Sequence, residues 1–334
     1  MAIKIAIVGY GNVGKSIERI ALKDEDFEVV GVYSRREGVK SAYGSRVLPQ
    51  SALYLDGNQD IDVCMLAVGS AFDLVGLAEK IATRYNTVDS FDTHARMREY
   101  VGEMNVICRA CDTLSFIGCG WDPGLFSLER ALLNGILTRS IPQTFWGKGV
   151  SQGHSEAVRK LRGVKYATQY TIPVESAVKE AIEGRTDFKP CEKHTRVCYV
   201  TLDYAGFYGK AEREVTSDER TALERLVRSQ IVTMPNYFAD YATTVHFVSE
   251  EEYFKDHQQS YHSGKVIATG EEGGKKSLAE FSLNLDSNPD FTASVMLAYA
   301  RANYKMWREG ESGAKTVLDV PVKYLLKGEG FSLI

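Results

Sequence analysis

The sequence predicts an α/β protein in which a doubly wound parallel sheet is followed by a second, mixed-sheet α+β domain. Short β-branched runs alternate with amphipathic helical segments from the N-terminus to Asp122, which is typical of a parallel sheet with helices on both faces. After Gly124 the strands become longer, with apolar and polar residues alternating. The chain has 334 residues, more than one hydrophobic core usually covers, so we expect two domains.

The elements of the first domain follow one another as strand, turn and helix. The predicted strands are "IKIAIVGYG", "FEVVGVYSRR", "DVCMLAVGS", "NTVDSFD" and "TLSFIGCGWD", and the helices are "NVGKSIERIALK", "FDLVGLAEKIATRY" and the segment that begins "ARMREY". Ligands of parallel sheets bind beyond the carboxyl ends of the strands. Functional residues are therefore expected at the strand ends, which are residues 9–14, 34–36, 69–70, 92 and 121–122.

The second domain has a different pattern. Its predicted strands are "QTFWG", "VKYATQYTIP", "HTRVCYVTLDYAGFYG", "TTVHFVS", "KVIATGEE" and "KSLAEFSLNLD", and its helices include "VESAVKEAIEG" and "SDERTALERLVRSQIV". A strongly helical segment begins at Pro289, and we expect it to pack back on the first domain. These changes place one domain at residues 1–121 and the other at 122–288, with 289–334 returning to the first.

The composition is ordinary for a globular protein and argues against several functional classes. Apolar residues make up 44% and charged residues 25%, and the formal net charge is −4. Acidic and basic residues are mixed along the chain, so nucleic-acid binding is not expected. No apolar run approaches the ~20 residues of a membrane span. The N-terminus, "MAIKIAIVGYG", lacks the layout of a signal peptide.

The six cysteines predict reduced thiols in a cytoplasmic protein, because the chain is long and carries no secretion signal. Cys108 and Cys111 form a C-x-x-C pair in a predicted helix, with no second pair nearby to complete a zinc site. We expect both to be buried or half-buried helix residues. Redox or metal chemistry at this pair is the alternative.

A glycine fingerprint lies at the first strand-to-helix junction. Gly9, Gly11 and Gly14 form G-x-G-x-x-G, which lets the backbone approach a pyrophosphate at a helix N-terminus. The motif alone is weak, but a strand precedes it, and a helix and a second strand follow. The sequence therefore predicts a Rossmann-type dinucleotide-binding domain. A tight turn without a ligand is the alternative.

The end of the second strand predicts which dinucleotide is bound. An NAD-binding domain usually places an acidic residue about 20 residues after the fingerprint, to hold the ribose 2′-hydroxyl. This chain has Ser34, Arg35 and Arg36 there, and Glu37 follows one position too late to serve. Guanidinium groups and a hydroxyl match a 2′-phosphate. We therefore expect NADP, with solvated surface arginines as the alternative.

Three further strand ends carry candidate site residues. Gly69 and Ser70 either lie beside a cofactor or form an ordinary helix N-cap. Asp92 ends one strand, and Asp122 ends the next beside Trp121. Two carboxylates at neighbouring strand ends can bind a substrate ammonium group and shape its proton chemistry. A helix cap is the alternative role for each.

The second domain contributes the loop "TFWGKGVSQGHS", which contains Trp146 and is rich in glycine and hydroxyl groups. Such a loop can present backbone N–H groups to a carboxylate, and an irregular turn is the alternative. His154, Arg196 and His262 are scattered, and none has metal-ligand spacing with another. No metal site is therefore predicted.

Seven segments together resemble the meso-diaminopimelate dehydrogenase family. They are "IAIVGYGNVGKS", "GVYSRR", "VDSFDTH", "GWDPGLFSLER", "TFWGKGVSQGHS", "QYTIP" and "LDSNPDFTAS", and they run in order along almost the whole chain. The resemblance implies NADP-dependent oxidative deamination of the D-centre of meso-2,6-diaminopimelate, with L-2-amino-6-oxoheptanedioate and ammonia as products. It also implies the reverse reductive amination, in lysine and diaminopimelate biosynthesis, by a homodimer whose second domain binds substrate and dimerises.

The resemblance also implies roles for individual residues. Asp92 and Asp122 would act on the D-centre amino group. The rest of the substrate would contact Trp121, Trp146, Ser151, Gln152, Gly153, Thr171, Arg196, His262 and Asn288, with Thr171, Arg196, His262 and Asn288 at the distal, L-configured end. The cofactor would contact Gly9, Gly11, Asn12, Val13, Gly14, Ser34, Arg35, Arg36, Gly69, Ser70, Ala71, Ser90, Phe91, Asp92, Gly120, Trp121, Asp122 and Pro123.

Two other functions fit parts of the sequence. One is a different NADP-dependent two-domain oxidoreductase, such as a reductase of tetrahydrodipicolinate-type substrates. The other is a non-catalytic NADP-binding sensor. The presence of both Asp92 and Asp122, together with the polar residues assigned to the distal end, argues against the sensor.

Overall fold

The structure is a computed structural model that describes residues 2–55, 60–69, 73–258, 261–328 and 333. Its strands are β1 (Ile3–Val8), β2 (Phe27–Ser34), β3 (Val47–Pro49), β4 (Val63–Leu66), β5 (Asn86–Asp89), β6 (Leu114–Ile117), β7 (Gln143–Trp146), β8 (Gly149–Val150), β9 (Val164–Pro173), β10 (His194–Leu202), β11 (Ala242–Phe247), β12 (His262–Glu272), β13 (Lys275–Leu285) and β14 (Gly313–Thr316).

The helices cover both ends and the middle of the chain. They are α1 (Asn12–Ala21), α2 (Val75–Ala82), α3 (Met97–Cys111), α4 (Leu125–Ile136), α5 (Gln152–Arg159), α6 (Glu175–Glu183), α7 (Pro190–Lys193), α8 (Tyr204–Tyr208), α9 (Ser217–Val232), α10 (Glu250–Asp256) and α11 (Asn288–Arg308). None of those described is both long and apolar enough to cross a bilayer.

The chain divides into two compact units. One comprises Met1–Ala131 with Pro289–Ile334, and the other comprises Leu132–Asn288. The first contains a parallel sheet with strand order β3-β2-β1-β4-β5-β6-β14, which extends the usual order of dinucleotide-binding sheets by one strand. Both edge strands, β3 and β14, escape the sequence pattern, because β3 has only three residues and β14 (Gly313–Thr316) has no run of apolar residues.

Each face of the parallel sheet is covered by helices, because side chains alternate along a strand. Ile3, Ile5 and Ile7 of β1 lie in one apolar cluster with residues of α1 and α11. Ala6 and Val8 lie in a second cluster with residues of α2 and α3. The helical segment that begins near Pro289 therefore packs on the first sheet. This arrangement brings the carboxyl ends of β1, β2, β4, β5 and β6 to one edge of the sheet.

The second unit contains two sheets. The order β11-β10-β9-β8 is mixed, because β10 pairs parallel with β11 and antiparallel with β9. The order β13-β12-β7 is antiparallel. Buried residues of β9, β10, α5 and α9 form the apolar core against the mixed sheet.

The C-x-x-C pair lies in α3, as predicted, but its two thiols differ in exposure. Cys108 is buried, and burial raises the pKa of its thiol. Cys111 is exposed, so the expectation that it is buried or half-buried was wrong. The difference arises because Cys111 is the last residue of the helix, beyond its buried residues Tyr100, Met104 and Cys108.

Candidate active site

The glycine turn joins β1 to α1. Gly9 has a φ of +94°, and a Cβ there would lie 2.5 Å from the carbonyl oxygen of Ala67. A Cβ on Gly14 would lie 2.3 Å from the carbonyl oxygen of Gly9, so close packing requires both glycines. A Cβ on Gly11 would meet no described atom within 4 Å. Gly11 therefore leaves room for a ligand at the helix N-terminus, where first-turn N–H groups lack intrahelical partners.

The end of β2 presents two arginines that are held in different ways. Ser34 is buried, and its hydroxyl accepts a hydrogen bond from the N–H of Arg36 at 3.0 Å. The Arg36 guanidinium donates to the carbonyl oxygen of Tyr10 at 3.0 Å, beside the glycine turn. Arg35 is exposed. Two cationic groups therefore lie at the strand end where a 2′-phosphate is expected.

The end of β4 contributes a carboxylate that the sequence did not identify as a site residue. The carboxylate of Asp73 pairs with Arg35 at 2.8 Å, and the Asp73 N–H donates to the carbonyl oxygen of Gly69 at 3.0 Å. Gly69 is exposed, whereas Ser70 and Ala71 lie outside the described residues. A phosphate bound to Arg35 would take the place that Asp73 occupies on the guanidinium.

A buried carboxylate in α1 holds the segment that follows the arginines. Glu18 accepts hydrogen bonds from the hydroxyls of Tyr10 and Ser41, and from the N–H of Ser45 at 3.1 Å. The Tyr10 hydroxyl accepts from the N–H of Ala42 at 2.7 Å. Burial acts to raise the pKa of Glu18, but these hydrogen bonds together lower it. Glu18 therefore stays ionised and fixes this side of the predicted cofactor site.

The loops that follow β5 and β6 touch each other. Asp92 is exposed in the first loop, where Ser90 is half-buried and Phe91 is buried. A Cβ on Gly120, in the second loop, would lie 3.8 Å from the Cβ of Ser90. The N–H of Gly120 donates to the carbonyl oxygen of Pro123 at 3.0 Å, which closes a tight turn. The fold therefore brings the predicted residues of both strand ends together.

The carboxylate of Asp122 is almost completely buried and bound to an arginine. Its side chain is 1% exposed, and the two guanidinium nitrogens of Arg130 donate to its two oxygens at 2.6 and 3.1 Å. Arg130, in α4, also donates to the hydroxyl of Ser127 at 3.2 Å. Trp121 is half-buried, and its ring packs edge-on against Phe126 at 5.2 Å. The sequence did not identify Arg130, because nothing in its pattern shows how the intervening turn folds.

In the second unit, a neutral histidine supports Trp146. The Trp146 ring stacks on His194 with centroids 5.1 Å apart. The backbone N–H of Trp146 donates to Nε2 of His194 at 2.8 Å. Burial, together with the charges of Arg196 and Lys193, lowers the pKa of His194 to about 3. His194 is therefore neutral at physiological pH, and its Nε2 acts as an acceptor. The sequence pattern places His194 at the start of a strand but gives no sign of this supporting role.

The neutral state of His194 predicts a pH-dependent stability. Its pKa is about 3 in the folded chain but near its ordinary 6.5 when unfolded, so acid favours unfolding between these values. Lowering the pH from 7 to 5 should therefore remove about 2 kcal/mol through this group. Calorimetry at both pH values should show a smaller loss of stability in His194→Gln, which keeps an acceptor but does not titrate.

Two other titratable residues bear on this experiment. His246→Gln, at an exposed histidine, is the control. A change in pH dependence as large as that of His194→Gln would show that the effect is not specific to the buried histidine. Burial raises the pKa of Asp89 to about 6, which offsets part of the loss in every variant alike. Equal pH dependence in His194→Gln and the wild type would contradict the assignment.

The turn at residues 151–153 leads directly into α5. The N–H of Ser151 donates to the carbonyl oxygen of Gln169 at 3.0 Å, and its hydroxyl lies 2.7 Å from Nδ1 of His154. Gln152 and Gly153 are the first residues of the helix, and a Cβ on Gly153 would meet no described atom within 4 Å. The turn therefore presents helix N-terminal N–H groups, which suit a carboxylate.

Arg196 is a buried cation that has no carboxylate partner among the described residues. It is 5% exposed, and burial lowers its pKa from the ordinary value. One nitrogen donates to the hydroxyl of Thr171, its partner across the β9–β10 ladder, and the guanidinium lies 4.2 Å from the centroid of the Tyr241 ring. Its Nε is buried without a hydrogen-bond partner. The arrangement leaves Arg196 able to bind an anion.

His262 lies close enough to Arg196 to be affected by its charge. Burial and the charge of Arg196 lower the pKa of His262 to about 4, although the hydrogen bond to the Ser263 carbonyl opposes this. A Cβ on Gly149 would lie 2.5 Å from the Cα of His262, so only glycine fits beside it. His257 instead stacks on a tyrosine ring, and Arg196 is not among the causes of its pKa shift.

Asn288 is half-buried as the first residue of α11, so its contact with the distal end stays a prediction. Among the residues that the structure describes, no group of three His, Cys, Asp or Glu side chains is arranged to hold a metal ion.

The comparison with known proteins covers almost the whole chain. Meso-diaminopimelate D-dehydrogenase of Ureibacillus thermosphaericus is 44% identical over 325 residues, which are 96% of this chain and 94% of the relative. The chain belongs to the meso-diaminopimelate D-dehydrogenase family. The family model for the diaminopimelic acid dehydrogenase C-terminal domain matches residues 120–287. The meso-diaminopimelate D-dehydrogenase of Corynebacterium glutamicum is 38% identical and covers 98% of this chain and 96% of its own.

Solved structures of this family have the same fold. DAP dehydrogenase of C. glutamicum in complex with DAP superposes with a TM-score of 0.89 at 36% identity, covering 99% of this chain and 98% of that chain. An engineered D-amino acid dehydrogenase bound to NADP+ has a TM-score of 0.85 at 35% identity, covering 100% and 98%. The predicted family and the predicted α/β fold class, a Rossmann-type sheet with a second mixed-sheet unit, are thereby confirmed.

Proposed function

We propose that the chain catalyses NADP-dependent oxidative deamination of the D-centre of meso-2,6-diaminopimelate. The products are ammonia and L-2-amino-6-oxoheptanedioate, which cyclises to tetrahydrodipicolinate. The reverse reductive amination makes the diamino acid for lysine and diaminopimelate biosynthesis. Relatives named for this activity match 96% of the chain. The observation in the structure that carries the proposal is the buried guanidinium of Arg196.

Burying an arginine without an acidic partner is costly, because a desolvated charge loses its hydration. Arg196 is 5% exposed and its Nε has no hydrogen-bond partner. A substrate carboxylate supplies both the missing charge and the missing acceptor. A diaminopimelate molecule has a carboxylate at each end, so one can bind Arg196 while the other end reacts. An amino acid with a single carboxylate would leave Arg196 without this partner.

The residues present fit NADP. The open space at Gly11 admits a pyrophosphate at the N-terminus of α1, and Arg35 and Arg36 lie at the end of β2, where the 2′-phosphate of NADP would bind. Glu18 holds the neighbouring segment in place. NADP, when bound, accepts the hydride at its nicotinamide ring. The chain supplies binding, orientation and the handling of protons.

Replacing both Arg35 and Arg36 by alanine should raise the KM for NADP about 10- to 100-fold, because charge-assisted hydrogen bonds to phosphate are lost. The KM for NAD, which has no 2′-phosphate, should change little. Initial rates with each cofactor at saturating substrate measure the difference. Arg98→Ala removes an exposed arginine of α3 and is the matched control. Equal effects on NADP and NAD would contradict the phosphate assignment.

The two aspartates act on the amino group of the D-centre in different ways. Asp122 is fixed by Arg130 through both oxygens, so its carboxylate holds the amine at a defined position. Asp92 is exposed and therefore able to exchange a proton with water. The amine must lose its proton before hydride leaves the carbon, and both carboxylates stabilise the positive charge that then develops. In this proposal Trp121 lies beside the amino group of the substrate.

The distal end of the substrate sets the stereochemistry. Arg196, with Thr171, His262 and Asn288, binds the L-centre, so only the opposite centre reaches the reacting position. Near the reacting carboxylate, Gln152 and Gly153 donate backbone N–H groups, and Ser151 lines the pocket, since its own N–H donates to Gln169. Trp146 lies beside them, supported by His194. Substrates that are shorter than diaminopimelate, or that lack the distal carboxylate, should therefore react poorly.

The functional assembly is a homodimer, in which the second unit serves for substrate binding and dimerisation. All six cysteines are free thiols. This fits a reducing compartment, and we propose a cytoplasmic location on that basis. Sedimentation or light scattering of the purified protein tests the dimer. A monomer at assay concentrations would overturn that part of the proposal.

Absorbance at 340 nm tests the reaction, with NADP and the meso, L,L or D,D isomer of diaminopimelate. NADPH should form with the meso isomer and not with the L,L isomer, which has no D-centre. A lack of NADPH with every amino acid would favour the NADP-binding sensor. Activity only with tetrahydrodipicolinate-type substrates, without ammonia, would favour a different NADP-dependent reductase.

A further inference from the structure

A buried carboxylate joins the two loops that carry the catalytic aspartates. Asp89, the last residue of β5, is fully buried. One of its oxygens accepts hydrogen bonds from the N–H groups of Phe91 at 2.9 Å and Gly118 at 3.1 Å. The other accepts from the hydroxyl of Tyr100, in α3, at 2.9 Å. Its backbone carbonyl accepts from the N–H of Cys119 at 2.8 Å.

These bonds begin where the β-sheet ladder ends. The β5–β6 ladder runs over the pairs Thr87–Ser115 and Val88–Phe116. Beyond it the chains leave the sheet, one toward Asp92 and the other toward Trp121 and Asp122. The Asp89 carboxylate spans the gap, because Phe91 lies on the first loop and Gly118 on the second. Gly118 has a φ of +71°, and a Cβ there would lie 3.5 Å from the carbonyl oxygen of Phe91.

We propose that Asp89 is a positioning residue for the reaction, which fixes the loops of Asp92 and Asp122 relative to each other through Phe91 and Gly118. The inference rests on the proposed function. Asp89 acts through these loops, because the donors to its carboxylate belong to the two loops and to Tyr100 of α3. Substitution of Asp89 should therefore lower kcat more than it lowers the stability of the folded chain.

The chemistry of the group supports this role over a purely structural one. Burial raises the pKa of Asp89 to about 6, against the hydrogen bonds from Phe91, Gly118 and Tyr100, which lower it. The ionised group is therefore costly to bury. An asparagine would keep an oxygen for the same two backbone N–H groups without that cost. A carboxylate gives shorter, stronger bonds to those groups, and catalytic geometry is sensitive to small displacements.

Asp89→Asn in the full-length enzyme tests the proposal, because the substitution preserves shape. The kcat for meso-diaminopimelate should fall about 10- to 100-fold, with a smaller change in the KM for NADP and a thermal midpoint unchanged or higher. Asp62→Asn is the control, since Asp62 precedes β4 at the opposite edge of the sheet and accepts from the N–H of Lys4 at 2.8 Å. Its kcat should match the wild type.

Each other outcome has a defined meaning. The kcat is expressed per mole of folded protein, and an unaltered value in Asp89→Asn overturns the proposal. If that variant does not fold, Tyr100→Phe decides, since it removes one donor to Asp89 and keeps both backbone bonds. A kcat lowered several-fold supports positioning, and an unchanged kcat overturns it. Wild-type enzyme that forms no NADPH overturns the proposed function and this inference together, whereas an active wild type separates them.

Discussion

Replacing Arg130 by methionine is expected to lower the free energy of unfolding by about 3–5 kcal/mol, because the buried carboxylate of Asp122 is left without its bidentate partner. Methionine keeps an apolar stem of similar length, so the loss reports the missing charge rather than a cavity. Calorimetry should show a thermal midpoint lower by on the order of 10 °C. The kcat should also fall, since Asp122 loses the group that orients it.

Two further variants separate this effect from a general surface effect. Adding Asp122→Asn to Arg130→Met removes the stranded charge, so most of the lost stability should return while activity stays low. Arg96→Met removes an exposed pair, in which the guanidinium lies 3.1 Å from Glu99, and should cost less than about 1 kcal/mol. Equal midpoints for Arg130→Met and Arg96→Met would show that the Asp122–Arg130 pair contributes no more than a surface pair.

The sequence was most informative about the first sheet, because the signal for each of its longer or more apolar strands lies within a few residues. Each of these strands carries its own apolar run, and the glycines of the first turn have separate physical reasons. Gly9 and Gly14 are forced by contacts of 2.5 and 2.3 Å, whereas Gly11 leaves open space for a ligand. A pattern within a few residues therefore predicted the turn, and the open space at Gly11 fits its proposed use. Strand β3 was missed because it has only three residues, and β14 because its sequence, GAKT, has no apolar run.

The supporting residues of the site escaped prediction because they come from distant parts of the chain. His194 lies 48 positions from Trp146 and accepts a hydrogen bond from its backbone N–H. The Tyr241 ring covers Arg196 through folding of separate strands. Glu18 is the exception, because a glutamate on the apolar side of a predicted amphipathic helix indicates a buried polar contact. Sequence motifs thus identified groups proposed to touch ligands, while the groups that fix their charge and orientation needed coordinates.

Replacing Arg196 by alanine is expected to weaken binding of meso-diaminopimelate by about 2–4 kcal/mol, which lowers kcat/KM by about 30- to 1,000-fold. The distal carboxylate loses a cation that has no acidic partner among the described residues. Stability should not fall in parallel in Arg196→Met, because removing an unpaired buried cation strands no other charge. Steady-state kinetics and calorimetry on the same preparations measure both effects.

A matched arginine of the same unit distinguishes carboxylate binding from loss of a side chain. Arg228 donates to the carbonyl oxygen of Val245 at 2.7 Å and lies over the Phe247 ring at 5.2 Å, much as Arg196 lies over Tyr241. Arg228 is exposed, so Arg228→Ala should leave kcat/KM unchanged. The Arg196 variants should also lose much of their preference for diaminopimelate over D-amino acids with one carboxylate, since only diaminopimelate uses the distal cation. An unchanged kcat/KM for meso-diaminopimelate in Arg196→Ala would remove Arg196 from the substrate site.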